Sequence, residues 1–482
     1  MPESAIVAAV RQAAARVPDR PALVAGETRI SHAELGRHAA ATAAAVTEKA
    51  RGDIVGLFLP NSPAFVWSLL GALQAGKTVA VLPTLAPPPL LALMAAEAGL
   101  QTVITAGELA PRLAEAKAAP LLVEQFPAAG DERPPAHRSH DAAVLLYTSG
   151  TTGRPKAVAL SDQNILTNAD GCRVSAGFGN DEVMLAILPL FHAYGLTVTL
   201  MLPLMTGGTV VLLDRFAPRT VLQTIEQQRI TVMVAVPSQY RLLAKEPTAA
   251  DTKSLWLCIS GAERLSEIAA HDFEARFKEP ILQGYGATEA APVISMNAPT
   301  AHRAHTVGKP LPEVRVTLRE DGRSVPAGEI GEISVEGPNV MLGYHNQPQA
   351  TAEKIVNGVL RTGDRGFFDA DGFLHIAGRA DDLLKVAGEK IYPSEVENAL
   401  EKIEGVEEAA VVGVPDEKHG TLLRAFVQAK PGVTLTEAGL RAACRQHLEA
   451  NKVPRNFLVV EQMPRTPGGK VDKRALATQE GK

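Results

Sequence analysis

The chain has 482 residues, which is too long for a single hydrophobic core, so we expect at least two domains. Hydrophobic residues make up 46% and charged residues 21%, as in ordinary globular proteins, and the net charge of −5 argues against a nucleic-acid partner. Cys172, Cys258 and Cys444 are too far apart to suggest a disulfide framework or a zinc site. They favour a reducing, cytoplasmic compartment, and each is predicted to be a small buried apolar residue.

Up to about Ala377, short apolar runs alternate with longer helical stretches. Each run has the length of a buried strand. The runs are Ile54–Leu59, Thr78–Leu82, Thr102–Thr105, Ala142–Tyr147, Met184–Leu188, Thr209–Leu213, Val232–Val236 and Leu255–Ile259. Because fully apolar strands separated by helices are typical of parallel sheets covered on both faces, we predict an α/β fold with a large N-terminal domain over residues 1–377.

Residues 183–213 carry no charged side chain apart from a possible charge on His192, and by length alone they could cross a membrane. Prolines and glycines interrupt this segment at regular intervals. We therefore expect two buried strands within it, with a buried helix over Gly195–Met205 between them. No integral membrane segment is predicted, and the N-terminus lacks the apolar run of a signal peptide.

The pattern of apolar and polar residues changes after the apolar strands. Residues 314–337 alternate with period two around Asp321-Gly322, which predicts a small antiparallel β unit. The segment from Asp382 onward has the size of a small α+β domain. Its predicted elements are a helix opened by a capping-box pattern at Ser394–Glu397, strands Ala409–Val414 and Arg424–Ala429, and a helix from Thr436 to Ala450.

Residues 147–156 read Tyr-Thr-Ser-Gly-Thr-Thr-Gly-Arg-Pro-Lys and follow a buried strand. Glycines let backbone N–H groups approach an anion, hydroxyls add donors, and a lysine adds a point charge suited to phosphate. The residues with these properties are Thr148, Ser149, Gly150, Thr151, Thr152, Gly153 and Lys156. The sequence Pro155-Lys156-Ala157 excludes a Walker A loop, which needs glycine before the lysine and a hydroxyl after it. We therefore predict a phosphate-binding loop of another class rather than a solvated turn.

This stretch resembles the phosphate loop of the adenylate-forming superfamily, which includes acyl-CoA synthetases, adenylation domains of nonribosomal peptide synthetases and firefly luciferase. Four further motifs follow in the family's order. They resemble the adenine- and magnesium-binding loop (residues 284–289), the ribose-binding turn (361–364), the interdomain hinge (378–382) and the loop that carries the adenylation lysine (464–470). The resemblance covers most of the chain, and bacterial fatty-acyl-CoA and acyl-carrier-protein synthetases are the most similar members.

The resemblance implies a two-step ligase. A carboxylate attacks the α-phosphate of ATP, and a thiol then displaces AMP from the acyl adenylate. The implied cofactors are ATP, magnesium and coenzyme A or the phosphopantetheine of a carrier protein; the acceptor thiol stays open between these two. The family pattern also divides the chain into residues 1–377, a hinge at 378–382 and a mobile small domain at 383–482.

The family motifs also imply roles for single residues. Lys470 is expected to bridge the carboxylate and the α-phosphate, Thr288 to reach the α-phosphate, and Glu289 to bind magnesium together with Thr148. The adenine site is expected to include Gln283, Gly284, Tyr285 and Gly286. The ribose site is expected to include Asp364 and Arg379. Asp381 belongs to the hinge, and Gly388 lets pantetheine pass. The sequence departs from the family at Ala157, where glycine is usual, and at Ser161-Asp162, where a histidine is common.

The acid pocket is expected to be apolar. His192 stands where amino-acid activators carry an aspartate, and Gly284 stands where malonate activators carry an arginine. Its predicted lining includes His192, Leu196, Gly261, Ala262 and Ala290, whose small members leave room for a long acyl chain. The resemblance therefore implies a medium- or long-chain fatty acid, with an aryl or branched acid as the alternative. A non-catalytic adenylate-binding homologue is disfavoured, because Lys156, Glu289 and Lys470 are all present.

Overall fold

The structure is a computed structural model that describes residues 3–127, 141–149, 155–320, 322–386, 389–416, 420–465 and 471–478. Contacts between Cα atoms divide the chain into two compact units. The first comprises the residues up to Leu265, Ala269–Val316 and Ser334–Arg361, and the second comprises Ser266–Ile268, Thr317–Ile333 and the residues from Thr362 onward. The domain limits expected from the family pattern stay a prediction.

The strands at the predicted apolar runs have four to eight residues. In chain order they are β1 Pro21–Ala25, β2 Thr28–Ser31, β3 Ile54–Phe58, β4 Thr78–Val81, β5 Thr102–Thr105, β6 Ala119–Leu122, β7 Ala142–Ser149, β8 Pro155–Ser161, β9 Val183–Ala186, β10 Thr209–Leu212, β11 Val232–Ala235, β12 Leu257–Ser260, β13 Ile281–Gly286, β14 Val293–Met296, β15 Lys309–Pro310, β16 Arg315–Glu320, β17 Arg323–Ser324, β18 Gly331–Glu336, β19 Gly343–Tyr344, β20 Ile355–Val356, β21 Val359–Phe368, β22 Leu374–Arg379, β23 Leu384–Val386, β24 Glu389–Ile391, β25 Val406–Asp416, β26 Gly420–Ala429 and β27 Asn456–Val460.

The described α-helices are α1 Ala5–Arg16, α2 His32–Lys49, α3 Pro63–Gln74, α4 Pro88–Glu97, α5 Asp162–Ala176, α6 Leu202–Thr206, α7 Pro218–Gln228, α8 Pro237–Lys245, α9 Glu267–Phe277, α10 Pro348–Lys354, α11 Pro393–Glu401, α12 Glu437–His447 and α13 Lys473–Ala477. A π-helix, Gly195–Met201, runs directly into α6. Ser161, at the position where the family commonly has histidine, is the N-cap of α5 and forms a capping box with Asn164.

Two large sheets form the first unit. One has the strand order β15-β14-β13-β12-β11-β9-β10-β1-β2, and its strands from β1 to β13 along this order are parallel. The other has the order β19-β8-β7-β4-β3-β5-β6 and is parallel from β7 to β6. Every residue of β4, β5, β11 and β12 is buried, as expected for parallel strands covered on both faces. The predicted α/β architecture is confirmed.

The apolar segment at residues 183–213 folds inside this unit. It forms β9, the π-helix, α6 and β10, and the whole π-helix is buried. The expectation of two strands with a buried helix between them is therefore confirmed. No helix in the described part of the chain combines the length and the apolar character needed to cross a membrane.

The second unit contains the three-stranded sheet of β25, β26 and β27, in which β25 and β26 are antiparallel and β26 and β27 are parallel. Its apolar core joins this sheet to α11 and α12 and includes Val396, Leu440 and Cys444. Within the same unit, β16 pairs with β17 and the second half of β21 pairs with β22, both antiparallel. A β hairpin thus exists where period-two alternation predicts one.

The predicted capping box at Ser394–Glu397 is wrong. Helix α11 begins at Pro393, two residues earlier than the pattern predicts, and its N-cap Tyr392 makes no side-chain cap hydrogen bond. Ser394 Oγ instead donates to the carbonyl oxygen of Ala377, and the Glu397 carboxylate accepts from the backbone N–H of Val411 at 2.8 Å. Both side chains of the pattern thus serve tertiary contacts, which short-range spacing does not reveal.

Candidate active site

The antiparallel pair β7–β8 carries both ends of the predicted phosphate loop. Thr148 is the register partner of Lys156, so their side chains project from the same face of the sheet. Tyr147 Oη donates to the carbonyl oxygen of Met94 at 2.9 Å and ties β7 to α4. The loop residues Gly150, Thr151, Thr152 and Gly153 lie outside the described residues. The strands therefore place the hydroxyl of Thr148 and the ammonium of Lys156 side by side at the end of the hairpin.

Tyr344 joins the phosphate lysine to the predicted magnesium carboxylate. It lies on β19 opposite Val158, on the same face of the sheet as Lys156. Lys156 Nζ is 4.8 Å from the centre of the tyrosine ring, and Tyr344 Oη donates to Glu289 Oε1 at 2.7 Å. Burial and the negative charge of Glu289 raise the pKa of Tyr344, so the phenol stays protonated and donates. Two residues predicted from separate motifs thus meet through one side chain.

Buried asparagines hold the segment that carries Glu289. This residue lies in the 3-10 helix Thr288–Ala290 that follows β13. Asn168 accepts from the backbone N–H of Val293 at 3.1 Å and donates to its carbonyl oxygen at 2.7 Å, while Asn339 donates to the carbonyl oxygen of Ala290 at 3.0 Å. Both asparagines are almost fully buried, so these bonds form away from water and fix the backbone that directly follows Glu289.

The predicted adenine loop is the C-terminal part of β13. A Cβ atom on Gly286 would lie 2.2 Å from the carbonyl oxygen of Pro292, so glycine is required where β13 and β14 approach each other. Tyr285 is half-buried opposite Ser295 on β14. The Gln283 carbonyl oxygen accepts from the backbone and side-chain nitrogens of Asn297 at 3.0 and 3.1 Å. The loop is thus held by backbone bonds.

The second unit brings the predicted ribose-binding residues together. Asp364 and Arg379 are register partners on β21 and β22, and Arg379 Nε lies 3.7 Å from Asp364 Oδ1. The backbone N–H of Asp364 donates to Thr362 Oγ1 at 3.0 Å, which fixes the turn at the carboxylate. Asp381 lies in the 3-10 helix that follows Arg379. Gly388 and Lys470 lie outside the described residues.

An apolar cavity lies in the first unit between α5, the π-helix and the strands β12 and β14. Its lining includes Cys172, Ala176, Tyr194, Val198, Ile259 and Met296. Burial raises the pKa of the Cys172 thiol to about 12, so this residue lines the cavity as a neutral apolar group. All three cysteines are free and buried, as predicted.

Gly261 is a predicted acid-site residue that lies against the cavity lining. A Cβ atom on Gly261 would lie 3.0–3.1 Å from the ring and hydroxyl of Tyr194, so the glycine makes room for the tyrosine that lines the cavity. Ala262 is exposed and has a φ of +70°. Leu196 and Ala290 are buried and His192 is exposed, and the described lining of the cavity includes none of these three. Their roles at the acid stay predictions.

The comparison with family models identifies the family of the chain. The model described as AMP-binding enzyme matches residues 10–345, and the model of the AMP-binding enzyme C-terminal domain matches residues 395–470. The chain belongs to the AMP-binding enzyme family. The adenylate-forming resemblance read from five motifs is therefore confirmed.

Relatives of this AMP-binding enzyme have several substrates. A feruloyl-CoA synthase from Amycolatopsis sp is 36% identical over 469 residues, 95% of each chain. A long-chain-fatty-acid–CoA ligase from Bacillus subtilis is 37% identical over 351 residues, 71% of this chain and 62% of the relative. The solved o-succinylbenzoate CoA synthetase from Bacillus subtilis, in complex with its acyl-adenylate intermediate, has a TM-score of 0.86 at 28% identity over 98% of both chains. The predicted enzyme class, an AMP-forming acid–thiol ligase that uses ATP and CoA, is confirmed.

Three residues that the motifs do not identify hold the site of this AMP-binding enzyme together: Tyr344, Asn168 and Asn339. Each is far in sequence from the group it contacts. The available signal is weak. A buried asparagine has to find hydrogen-bond partners, but the polar sequence around Asn168 gives no sign that this residue is buried.

Tyr344→Phe tests the bridge in this AMP-binding enzyme. The variant keeps the ring beside Lys156 and removes the hydroxyl that donates to Glu289. We expect the rate of pyrophosphate release to fall about 10- to 100-fold, since a hydrogen bond to a charged group contributes ~1.5–3 kcal/mol, with little change in the thioester-forming step. Tyr240→Phe is the control, because its hydroxyl also binds backbone carbonyl oxygens in a buried core. Equal losses in the two variants would remove the bridge from the mechanism.

Glu97 is a half-buried carboxyl at the edge of the phosphate hairpin. Its Oε1 accepts from Gln347 Nε2 and from the backbone N–H of Ala157. Its Oε2 is buried and has no hydrogen-bond partner in the described part of the chain. Burial, the largest cause, raises the pKa of Glu97, so the fold favours the neutral carboxyl.

Glu97→Gln should be increasingly more stable than the wild type as pH rises. The pKa of Glu97 is higher in the folded than in the unfolded chain, so its stabilising contribution is present at low pH and is lost as pH rises through the raised pKa. Glutamine does not titrate. The melting temperature of the variant minus that of the wild type should therefore grow as pH rises above 4.5, the ordinary pKa of a glutamate carboxyl. The exposed residue Glu115 provides the control Glu115→Gln; a difference that does not vary with pH would contradict the assignment.

Proposed function

We propose that the enzyme activates a medium- or long-chain fatty acid and transfers it to CoA. The observation that carries this proposal is the cavity beside Tyr194, whose described lining contains no charged side chain. An acid with an ammonium or a second carboxylate near its first would be buried there without a partner, at a cost of several kcal/mol. An alkyl chain would gain free energy from the same burial.

Magnesium fits the donor set only as an ion that is bound together with ATP. The described residues contain no cluster of three or more histidine, cysteine, aspartate or glutamate side chains able to hold a metal. Glu289 offers a carboxylate and Thr148 a hydroxyl, while magnesium takes carboxylate, phosphate and water oxygens. When bound, the ion would neutralise phosphate charge. We infer that Glu289 completes its coordination from the protein side.

The first step joins two anions, so the protein has to neutralise charge and align the reacting atoms. A carboxylate oxygen of the acid attacks the α-phosphorus, the bond to the bridging oxygen breaks, and pyrophosphate leaves with its charge near Lys156. Thr288 and Lys470 are proposed to stabilise the α-phosphate. Asp364 accepts hydrogen bonds from the ribose hydroxyls.

The second step uses the acceptor thiol. The sulfur of CoA attacks the acyl carbonyl carbon, the bond to the adenylate oxygen breaks, and AMP leaves. We propose that Asp381 lies at the hinge used between the two steps and that Gly388 borders the path of pantetheine. A carrier protein presents the same thiol arm, so it is the alternative acceptor in the test below.

An aryl acid is the second candidate for the substrate. Tyr194 and Phe178 give the cavity two aromatic walls, which suit a flat ring. The feruloyl-CoA synthase relative is 36% identical over nearly the whole chain. The two substrate classes differ in shape, so one acid panel separates them.

The test measures pyrophosphate release against straight-chain acids of graded length, benzoates and cinnamates, with CoA and carrier protein offered in turn. We expect kcat/KM to rise with alkyl length up to a limit. Gly261→Ala, which pushes a methyl group against Tyr194, should lower kcat/KM for the preferred acid about tenfold and leave the KM for ATP unchanged. Cys258→Ala is the control, since Cys258 lies on β12, which ends directly before Gly261, but packs in a different core cluster. A higher kcat/KM for ring acids than for every alkyl acid would overturn the fatty-acid assignment.

A further inference from the structure

We propose that Phe178 and Leu202 form a partition that sets the longest acyl chain the enzyme accepts and that separates the acid cavity from an arginine-lined basin on the surface. This inference rests on the proposed function, because it assumes that the acyl chain enters the cavity beside Tyr194. It adds two specificity-determining residues and a second, polar compartment beyond them.

Phe178 and Leu202 line both compartments. On one side they complete the apolar cavity with Val198 and Met296. On the other side they form part of the wall of a surface basin whose lining includes Arg16 and Arg173. Phe178 is 5% and Leu202 1% exposed, so the two side chains close the boundary in this conformation. A single layer of side chains thus lies between the two spaces.

Each partition residue lies where a regular helix ends or changes. Helix α5 ends at the C-cap Gly177, which has a φ of +70°, and Phe178 follows in the short segment before β9. Leu202 is the first residue of α6, and its backbone N–H donates to the carbonyl oxygen of Thr197 across the end of the π-helix. π-Helical turns are rare and frequently occur at functional sites. A rotation of the Phe178 side chain alone would join the two compartments without breaking a sheet.

The small size of the cavity means that the partition limits the length of the acyl chain. Its volume of ≈ 20 Å³ is far below the ~300–1,000 Å³ of ligand pockets, so the lining has to move before an acyl chain can enter. Phe178 and Leu202 are the lining residues with open space beyond them, so a longer acyl chain has to pass between them. The closed partition limits the chain, and its opening extends the channel into the basin.

The basin offers chemistry for a polar chain end. Arg173 forms an ion pair with Asp170 at 2.7 Å, and Arg16 donates to the carbonyl oxygen of Met205 at 3.3 Å, which orients both guanidinium groups at the basin. Guanidinium binds carboxylate in a bidentate geometry. An α,ω-dicarboxylic acid whose first carboxylate is adenylated could place its second carboxylate there once the partition is open.

The experiment uses the full-length enzyme and measures kcat/KM for adenylation over monocarboxylic and α,ω-dicarboxylic acids of graded length. Phe178→Ala should raise kcat/KM at least about tenfold for acids beyond the wild-type limit and for long dicarboxylic acids. Arg173→Ala added to Phe178→Ala should abolish the gain for dicarboxylic acids and keep the gain for monocarboxylic acids. Val198→Ala is the matched control, because Val198 lines the cavity but not the basin. It should enlarge the cavity without admitting dicarboxylic acids.

A folded Phe178→Ala enzyme with an unchanged length limit would overturn the inference. If that variant does not fold, Phe178→Leu and Leu202→Phe replace it: the first should lengthen and the second shorten the accepted chain, and no shift in either would be the refuting result. The proposed function fails in a different way, when the wild type activates ring acids in preference to every alkyl acid. The length limit is then measured with benzoates that carry para-alkyl groups of increasing length, and the same variants should shift it.

Discussion

We expect Lys470→Ala to lower the rate of acyl-adenylate formation by about 10²-fold or more, which is the scale of losing a charge stabiliser in the transition state. Thioester formation from pre-made acyl adenylate should be nearly unchanged. The two half-reactions differ because only the first brings a carboxylate against a phosphate. Pyrophosphate release and single-turnover thioester formation measure them separately.

Lys430→Ala is the control for this experiment. Lys430 directly follows β26 in the second unit and lies outside the motif at residues 464–470. It should change neither half-reaction more than about twofold, as expected for a surface substitution. If Lys470→Ala slows both half-reactions equally, the lysine has no special part in adenylation, and the proposal that the small domain moves at a hinge between the two steps fails.

Glu289→Gln should reduce adenylation by about 10²- to 10³-fold at low magnesium, because the amide cannot replace the negative charge that magnesium prefers. The amide oxygen still accepts from Tyr344, so the fold around the 3-10 helix should persist. We expect the loss to shrink as magnesium concentration rises. Measuring pyrophosphate release over a series of magnesium concentrations gives both the loss of activity and its dependence on magnesium.

Glu289→Asp tests the same site with the charge kept. It should recover part of the activity and lower the magnesium concentration needed for half-maximal activity relative to Glu289→Gln. A loss in Glu289→Gln that is independent of magnesium, together with an equal loss in Glu289→Asp, would mean that the side chain acts by packing. Glu289 would then no longer be a candidate metal ligand.

The sequence predicts those parts of the molecule that depend on interactions between residues close together in the chain. Apolar runs such as Thr102–Thr105 and Val232–Val236 become buried parallel strands because their residues fit a surface covered on both faces. Motifs with special backbone needs are also visible, such as Gly286, which the close approach of Pro292 requires. The ordered motifs therefore predict the family and indicate Glu289 and Lys156 as candidate site residues.

Contacts between distant segments are not visible in the same way. Tyr344 is 188 residues from Lys156 and 55 from Glu289, and no spacing rule links them. Ser394 matches a capping pattern but donates to Ala377, because a tertiary partner competes with the local one. The apolar cavity lies beside Tyr194 rather than beside the exposed Ala262, since the side-chain packing between α5 and the π-helix decides which residues reach it.

The contact of Tyr344 with both Lys156 and Glu289 has a thermodynamic consequence. A triphosphate that binds Lys156 and an ion that binds Glu289 would each change the contacts of the same tyrosine side chain. Any such interaction is reciprocal: the factor by which the ion tightens nucleotide binding has to equal the factor by which the nucleotide tightens ion binding. The ring and hydroxyl of one tyrosine thus provide a route for cooperativity between two ligands, and that shared factor should be smaller in Tyr344→Phe.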